Sequence, residues 1–383
     1  MREIGERYLK KIYYNLKTCA LWLFMAGLTG VGVGAFSSAF SFCLKKVTML
    51  RGEYPFLLYF LPAGGIVIVL LYHLCGVRQD KGTNIIMTAV HGKDQDVPAY
   101  MAPLIFAATI ITHLFGGSAG REGAALQMGA SIGNTIGRLF KFEEGDRKLL
   151  VMSGMSAAFS AVFGTPLAAA IFPMELISVG IMHYAALVPC VFSSIVANRF
   201  AVNMGINPEA FMIHGIPELT FLNSAKIVLL GIFCAGLSVV FCLFLKGAGL
   251  FYSKFFKNAY IRAMAGGFLV IGMTLLIGTY DYNGAGTEMI AKAIEGSVPA
   301  YAFLLKMLFS FDTITNLWLF FNNRQQFYIK IPHSTASQSG GILKGRISIS
   351  LSSSFINWIF LLCPLFCFLY TSFLKNVLYI SLS

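Results

Sequence analysis

The chain has 383 residues, 57% of them hydrophobic and only 12% charged, with a net charge of +12 and a mean hydropathy of +0.72. Soluble domains carry about 25% charged residues, so polar material is too scarce here to cover a globule in water, and the chain must use lipid as part of its solvent. The excess of Lys and Arg is that of loops fixing orientation in a membrane, and no nucleic-acid partner is expected.

The first stretch, MREIGERYLKKIYYNLK, sets Arg2, Arg7, Lys10, Lys11 and Lys17 ahead of a long apolar run. Its charges are too dispersed, and the next segment too long, for a cleavable leader. Residues 1–17 are expected to form a cytoplasmic amphipathic helix. Apolar segments follow at 18–45, 56–77, 98–117, 123–140, 148–163, 166–186, 184–204, 224–248, 260–280, 299–320 and 354–375. Several fall short of the ~20 residues a clean span requires, and many contain Gly or Pro. Broken and half-spanning helices are tolerated at membrane depth where they face protein or a water-filled cavity. The pattern predicts an all-α integral membrane protein of transporter or channel type. The eight cysteines, at 19, 43, 75, 190, 234, 242, 363 and 367, form no Cys-x-x-Cys pair, and most lie in apolar segments as small hydrophobes. The six histidines form no pair at helical ligand spacing, so neither a metal nor a cofactor is expected.

A weak internal repeat runs through these segments. Ala26-Gly27-Leu28 is answered by Ala235-Gly236-Leu237, and Ala63-Gly64-Gly65 by Ala265-Gly266-Gly267. Gly82-Thr83-Asn84-Ile85-Ile86 is answered by Gly286-Thr287-Glu288-Met289-Ile290. The offsets, 209, 202 and 204 residues, are nearly constant. Duplicated halves, commonly inverted across the membrane plane, are a construction of secondary transporters, whose ion sites form at the repeat interface from ends of discontinuous helices. The two Gly-Thr stretches are candidates for such ends, because Gly tolerates the turn and a Thr hydroxyl can cap a helix.

A carboxylate at membrane depth costs about 2.5–3.5 kcal/mol on insertion scales and is by default a functional candidate. Glu122 follows Gly116, Gly117 and Gly120 and precedes a helix-forming run from Ala124, which would put it at a helix N-terminus. Amide N–H groups and the positive end of the helix dipole form an anion site there. A carboxylate in that place is a tethered anion that occupies the pathway when ionised and leaves it when protonated. An ordinary Arg121–Glu122 pair at a loop surface is the plainer alternative. Gly129-Ala130-Ser131-Ile132-Gly133 matches a nucleophile elbow, but an elbow needs a strand-to-helix turn and this Ser lies in a helical run. Gly129, Gly133 and Gly137 instead have the spacing of close helix packing in lipid, and no enzyme is expected. Glu175, after Pro166 and Pro173 in GTPLAAAIFPMEL, is a candidate second acid, for a proton pathway or for a hydrogen bond to a neighbouring helix.

Gly120-Arg121-Glu122-Gly123 with its glycine-rich helix resembles the signature block of the chloride channel (CLC) family, with Ala124 in place of the family's Pro. The stretch AAFSAVFGTPLAAAIFPME, 157–175, resembles the next family block, and the similarity covers roughly residues 15–309. This resemblance implies a CLC-type inverted repeat of many tilted and half-spanning helices, assembled as a homodimer with one ion pathway per subunit. It makes Glu122 the gating and proton-coupling residue, and it implies anion binding at Gly82, Thr83, Asn84, Ile85, Gly120, Arg121, Gly123 and Ala124. Where the family's chloride motif reads Gly-Ser-Gly-Ile-Pro, Thr83, Asn84 and Ile86 depart from it as in the bacterial fluoride-exporting branch. Fluoride is small and tightly hydrated, so strong, close donors must replace its water. The chloride exchangers carry a proton glutamate directly after the position of Glu175, where Leu176 stands here.

The repeat also predicts a second glycine-rich helix start near 324, and the resemblance to the fluoride-exporting branch implies a pathway-facing glutamate near 322. The sequence has Asn322 and Asn323 there, and Gly340-Gly341 come too late. Beyond about 310, Gly and Ala give way to Ser, Phe, Leu, Ile and Asn. A reading-frame shift past codon 309 accounts for this. The competing reading is a diverged second half with 354–375 as a span. The expected organisation is therefore a first membrane half at 18–205, an incomplete second half at 206–309 and a divergent or out-of-frame tail at 310–383. The expected function is fluoride export coupled to proton import across a bacterial inner membrane, in many passes. Chloride/proton exchange, a voltage-gated chloride channel or an inactive relic are the alternatives.

Overall fold

The computed structural model describes residues 2–77, 86, 97–177, 183–207, 220–256, 258–299 and 301–318. Among them the backbone forms helices and no strands. In chain order these are α1 (Arg2–Glu53), a 3-10 turn (Pro55–Phe60), α2 (Leu61–Leu74), α3 (Met101–Leu114), α4 (Glu122–Leu139), α5 (Glu144–Phe163), α6 (Pro166–Ile177), α7 (Tyr184–Asn203), α8 (Phe221–Phe255), α9 (Ala259–Ile277), α10 (Thr287–Glu295) and α11 (Ala302–Trp318). Residues 2–17 are the first turns of α1, continuous with the apolar run that follows. The segment 354–375 lies outside the described residues.

Five helical stretches are long and apolar enough to cross a membrane, and α3 and α6 are apolar but shorter. On α8, Val228, Leu229, Ile232 and Phe233 are each more than half exposed. A soluble protein rarely presents such a continuous apolar face, and lipid is the solvent that suits it.

Small residues decide how closely the helices approach. At the α4–α5 crossing, a Cβ on Gly129 would run into the Gly154 carbonyl and lie 2.7 Å from the Ala158 Cβ. One on Gly133 would strike the Leu150 carbonyl. The i, i+4 glycines thus let two backbones touch, the packing mode of helices in lipid. Ser131 lies on the same helix, fully buried, with its hydroxyl donating to the Pro98 carbonyl at 2.6 Å. It is a packing residue on a helix, and no strand-to-helix turn surrounds it.

The repeated Ala-Gly-Gly motif has a structural meaning that its sequence does not disclose. The two copies lie on α2 and α9, and these helices pack against each other. A Cβ on Gly65 would lie 3.1 Å from that of Ala263, and one on Gly267 would lie 2.7 Å from the Pro62 backbone. Corresponding helices of the two halves therefore meet through their matching glycines. Gly267→Leu is expected to separate them, read as a lower unfolding temperature in detergent and faster amide exchange confined to α2 and α9. A bulky side chain accepted there without loss would show that this contact is not tight.

Candidate functional site

Four chain segments meet ahead of Glu122. α3 ends in a Schellman arrangement: Gly116 takes φ +78°, its N–H reaches the His113 carbonyl at 3.2 Å and the Gly117 N–H reaches the Thr112 carbonyl at 2.8 Å. Gly116 is needed for that left-handed turn. Residues 117–121 then lead into α4, which opens at Glu122 with Arg121 as its N-cap and no side chain capping it. The first intrahelical bond is from the Ala125 N–H to the Arg121 carbonyl, at 3.0 Å. The amides of Glu122, Gly123 and Ala124 thus lack an intrahelical acceptor, and the positive end of the dipole coincides with the carboxylate. The Arg121 guanidinium stands over the Phe163 ring, 5.1 Å from its centroid. This ties the start of α4 to the end of α5, where Gly164 (φ +71°) turns the chain toward α6.

Cations surround this point. Arg51, from the last turn of α1, donates to the His113 carbonyl at 3.2 Å, where a cation suits a helix C-terminus. The half-buried Lys306 of α11 donates to the Ser118 hydroxyl at 2.8 Å, to the Tyr282 carbonyl at 3.0 Å and to the Gly284 carbonyl at 2.6 Å. Its charge acts on Glu122, and the Arg51 charge acts on Glu288 of α10. Arg51, Arg121 and Lys306 all lie within electrostatic reach of buried His113. Three cations therefore gather around His113 close to the start of α4, with Glu122 and Glu288 as their acidic neighbours.

Of the residues singled out in the sequence, Gly120, Arg121, Glu122, Gly123 and Ala124 share this helix start. Gly82, Thr83, Asn84 and Ile85 lie outside the described residues, as do Asn322, Asn323, Gly340 and Gly341. Ile86 is described: it is helical, 1% exposed, and shares a buried cluster with Leu126 of α4, Ala169 and Leu176 of α6 and Phe159 of α5. Glu175 is half-buried between Met174 and Leu176 of that cluster. Gly286, the counterpart of Gly82, takes φ +87° and is the N-cap of α10, with Thr287 as its first residue. Sequence reasoning missed Ser118, Arg51 and Lys306. The signal for Lys306 was a lone cation inside an apolar segment, which deserved the same suspicion as a lone carboxylate.

Comparison with known proteins gives a consistent picture. Residues 64–316 match the family model described as voltage gated chloride channel. The chain is similar to the chloride/fluoride channel protein of Pseudomonas syringae pv. tomato, 32% identical over 297 residues that make up 76% of this chain and 66% of that protein. It is similar to the H(+)/Cl(-) exchange transporter ClcA of Vibrio cholerae, 28% identical over 193 residues, 49% of this chain and 41% of that one. The chain thus spans less than two thirds of the length of these relatives. Its fold is similar to the crystal structure of a CLC-type fluoride/proton antiporter, with a TM-score of 0.73, 28% identity and coverage of 78% of this chain and 76% of that one.

Proposed function

Because the chain belongs to the voltage gated chloride channel family, we propose that it carries anions across a bacterial inner membrane, exporting fluoride against incoming protons, as a homodimer with one pathway per subunit. The observation that carries this reading is Glu122 at the start of α4, which no side chain caps, within electrostatic reach of Lys306. An ionised Glu122 occupies an anion site made of the amides of Gly123 and Ala124. A protonated one vacates it, and the same motion moves a proton one way and an anion the other. Gly120 and Arg121 shape the turn into that site. Thr83, Asn84 and the Ile85 amide are assigned to hold the anion from the other side. Support for that assignment is the position of Ile86, three residues beyond Thr83, in the same buried cluster as Leu126 one turn into α4. Glu175 is assigned as a second acid, one helix away on α6.

The test is parallel efflux from liposomes loaded with fluoride or chloride, read with ion-selective electrodes and a pH electrode. Fluoride efflux with proton uptake is expected. Equal or faster chloride efflux would make the chain a chloride exchanger or channel. Thr83→Ser combined with Asn84→Gly restores the chloride-type motif at two of its three departing positions and removes an amide donor. It is expected to lower the fluoride-to-chloride rate ratio on the order of tenfold, the worth of about one hydrogen bond.

A second reading, a chain whose ending is out of frame and which moves no ion, rests on the absence of Gly-rich sequence near 324 and on the end of the family match at Asn316. Reading the gene in the other two frames from codon 309 onward decides it: a glycine-rich continuation with a glutamate near 322 is expected, and finding neither sinks the frameshift.

A further inference from the structure

The loop that leads to Glu122 is held from the other half of the molecule. On α11, Lys306, Ser310 and Thr313 are spaced i, i+4 and i+7 and so lie along one face of the helix. All three converge on Ser118. Lys306 donates to its hydroxyl at 2.8 Å, the Ser310 hydroxyl is hydrogen-bonded to it at 3.0 Å, and the Ser118 N–H donates to the Thr313 hydroxyl at 3.0 Å. Ser118 is fully buried and Thr313 is 5% exposed. Gly117 beside it admits this approach, since a Cβ there would lie 2.6 Å from the Thr112 methyl and 3.3 Å from that of Thr313. Lys306 at the same time grips the Tyr282 and Gly284 carbonyls, in the turn before Gly286 and α10. One lysine thus joins the two loops that open α4 and α10.

We propose that Lys306, Ser310 and Thr313 are positioning residues that clamp Ser118 and thereby fix the helix start from which Glu122 moves. Ser118 lies four residues before Glu122. A clamp at that distance leaves the carboxylate side chain free to swing while the backbone amides of the anion site stay in place. If the loop moved with the side chain, the site would lose its shape whenever Glu122 left it, and anions would slip through without a proton. The clamp keeps anion and proton movement in step. This inference builds on the antiport reading for its consequence, and its geometry stands without it.

Two measurements on the full-length chain test it. In hydrogen–deuterium exchange in detergent, Thr313→Val and Lys306→Met are expected to speed exchange of residues 115–122 on the order of tenfold, the effect of losing one buried hydrogen bond. Exchange in α5, and in α4 beyond its first turn, should be unchanged. In liposomes, the same variants are expected to lower the proton-to-fluoride ratio at least twofold, whereas Thr313→Ser and Lys306→Arg restore it. A purely structural defect would lower both fluxes together and leave the ratio alone. Unchanged exchange in 115–122 overturns the clamp, and faster exchange with an unchanged ratio overturns its role in coupling. If Lys306→Met exchanges throughout as an unfolded chain, the near-isosteric Thr313→Val decides. A wild-type chain that moves no anion refutes the antiport reading, and the exchange arm still judges the clamp.

Discussion

Glu122→Gln is expected to abolish proton movement during fluoride efflux, lowering it by at least ~100-fold, the range attributed to a positioned proton-transfer group. Glutamine keeps the shape and the hydrogen-bonding reach of the carboxylic acid but cannot ionise. It cannot compete with an anion for the amides at the start of α4, and it cannot deliver a proton. Glu122→Ala removes the tether altogether and is expected to give the same loss of protons with faster passive fluoride leak. Simultaneous fluoride and pH electrodes on one liposome suspension provide the measurement. A proton-to-fluoride ratio equal to that of the wild type in either variant would remove Glu122 from the mechanism and leave the pair Arg121–Glu122 as a loop contact.

The second large effect is on packing. Gly129→Leu or Gly154→Leu puts a side chain where two backbones touch, with the Gly129 carbonyl carbon 2.9 Å from a Cβ on Gly154. Overpacking typically costs 1–3 kcal/mol, and the upper end, about 3 kcal/mol, is expected where backbone must move instead of a flexible side chain. Gly129 lies seven residues along α4 from Glu122, about 10 Å at 1.5 Å per residue. A displaced crossing therefore also carries the gate away from its partners, and transport is expected to fail together with stability. Thermal unfolding in detergent gives the first quantity. Gly32→Ala serves as the comparison, since a Cβ there meets nothing within 4 Å and alanine favours a helix over glycine. Equal stability of Gly32→Ala and Gly129→Leu would contradict the packing account.

The sequence alone determined what the composition and the local pattern control. Scarce charge and long apolar runs determined a helical membrane protein, because unpaired backbone groups cannot face lipid and helices satisfy them internally. Glycines ahead of a charged residue and a helix-forming run determined that Glu122 would open a helix, because both the turn and the cap are local. The Ser131 motif was rejected on the same local grounds. What the tertiary structure decided is which distant residues meet. That the helices carrying the two Ala-Gly-Gly copies meet at Gly65 and Gly267, against Ala263 and Pro62, depends on how two helices some 200 residues apart are docked. Lys306 carries no motif, and its role exists only because α11 lies beside the loop at Ser118. The cations around His113 likewise come from α1, the N-cap of α4 and α11, three places whose spacing along the chain says nothing of their distance in space. Periodicity and caps are written into a dozen neighbouring residues; a clamp across the two halves is written only into their packing.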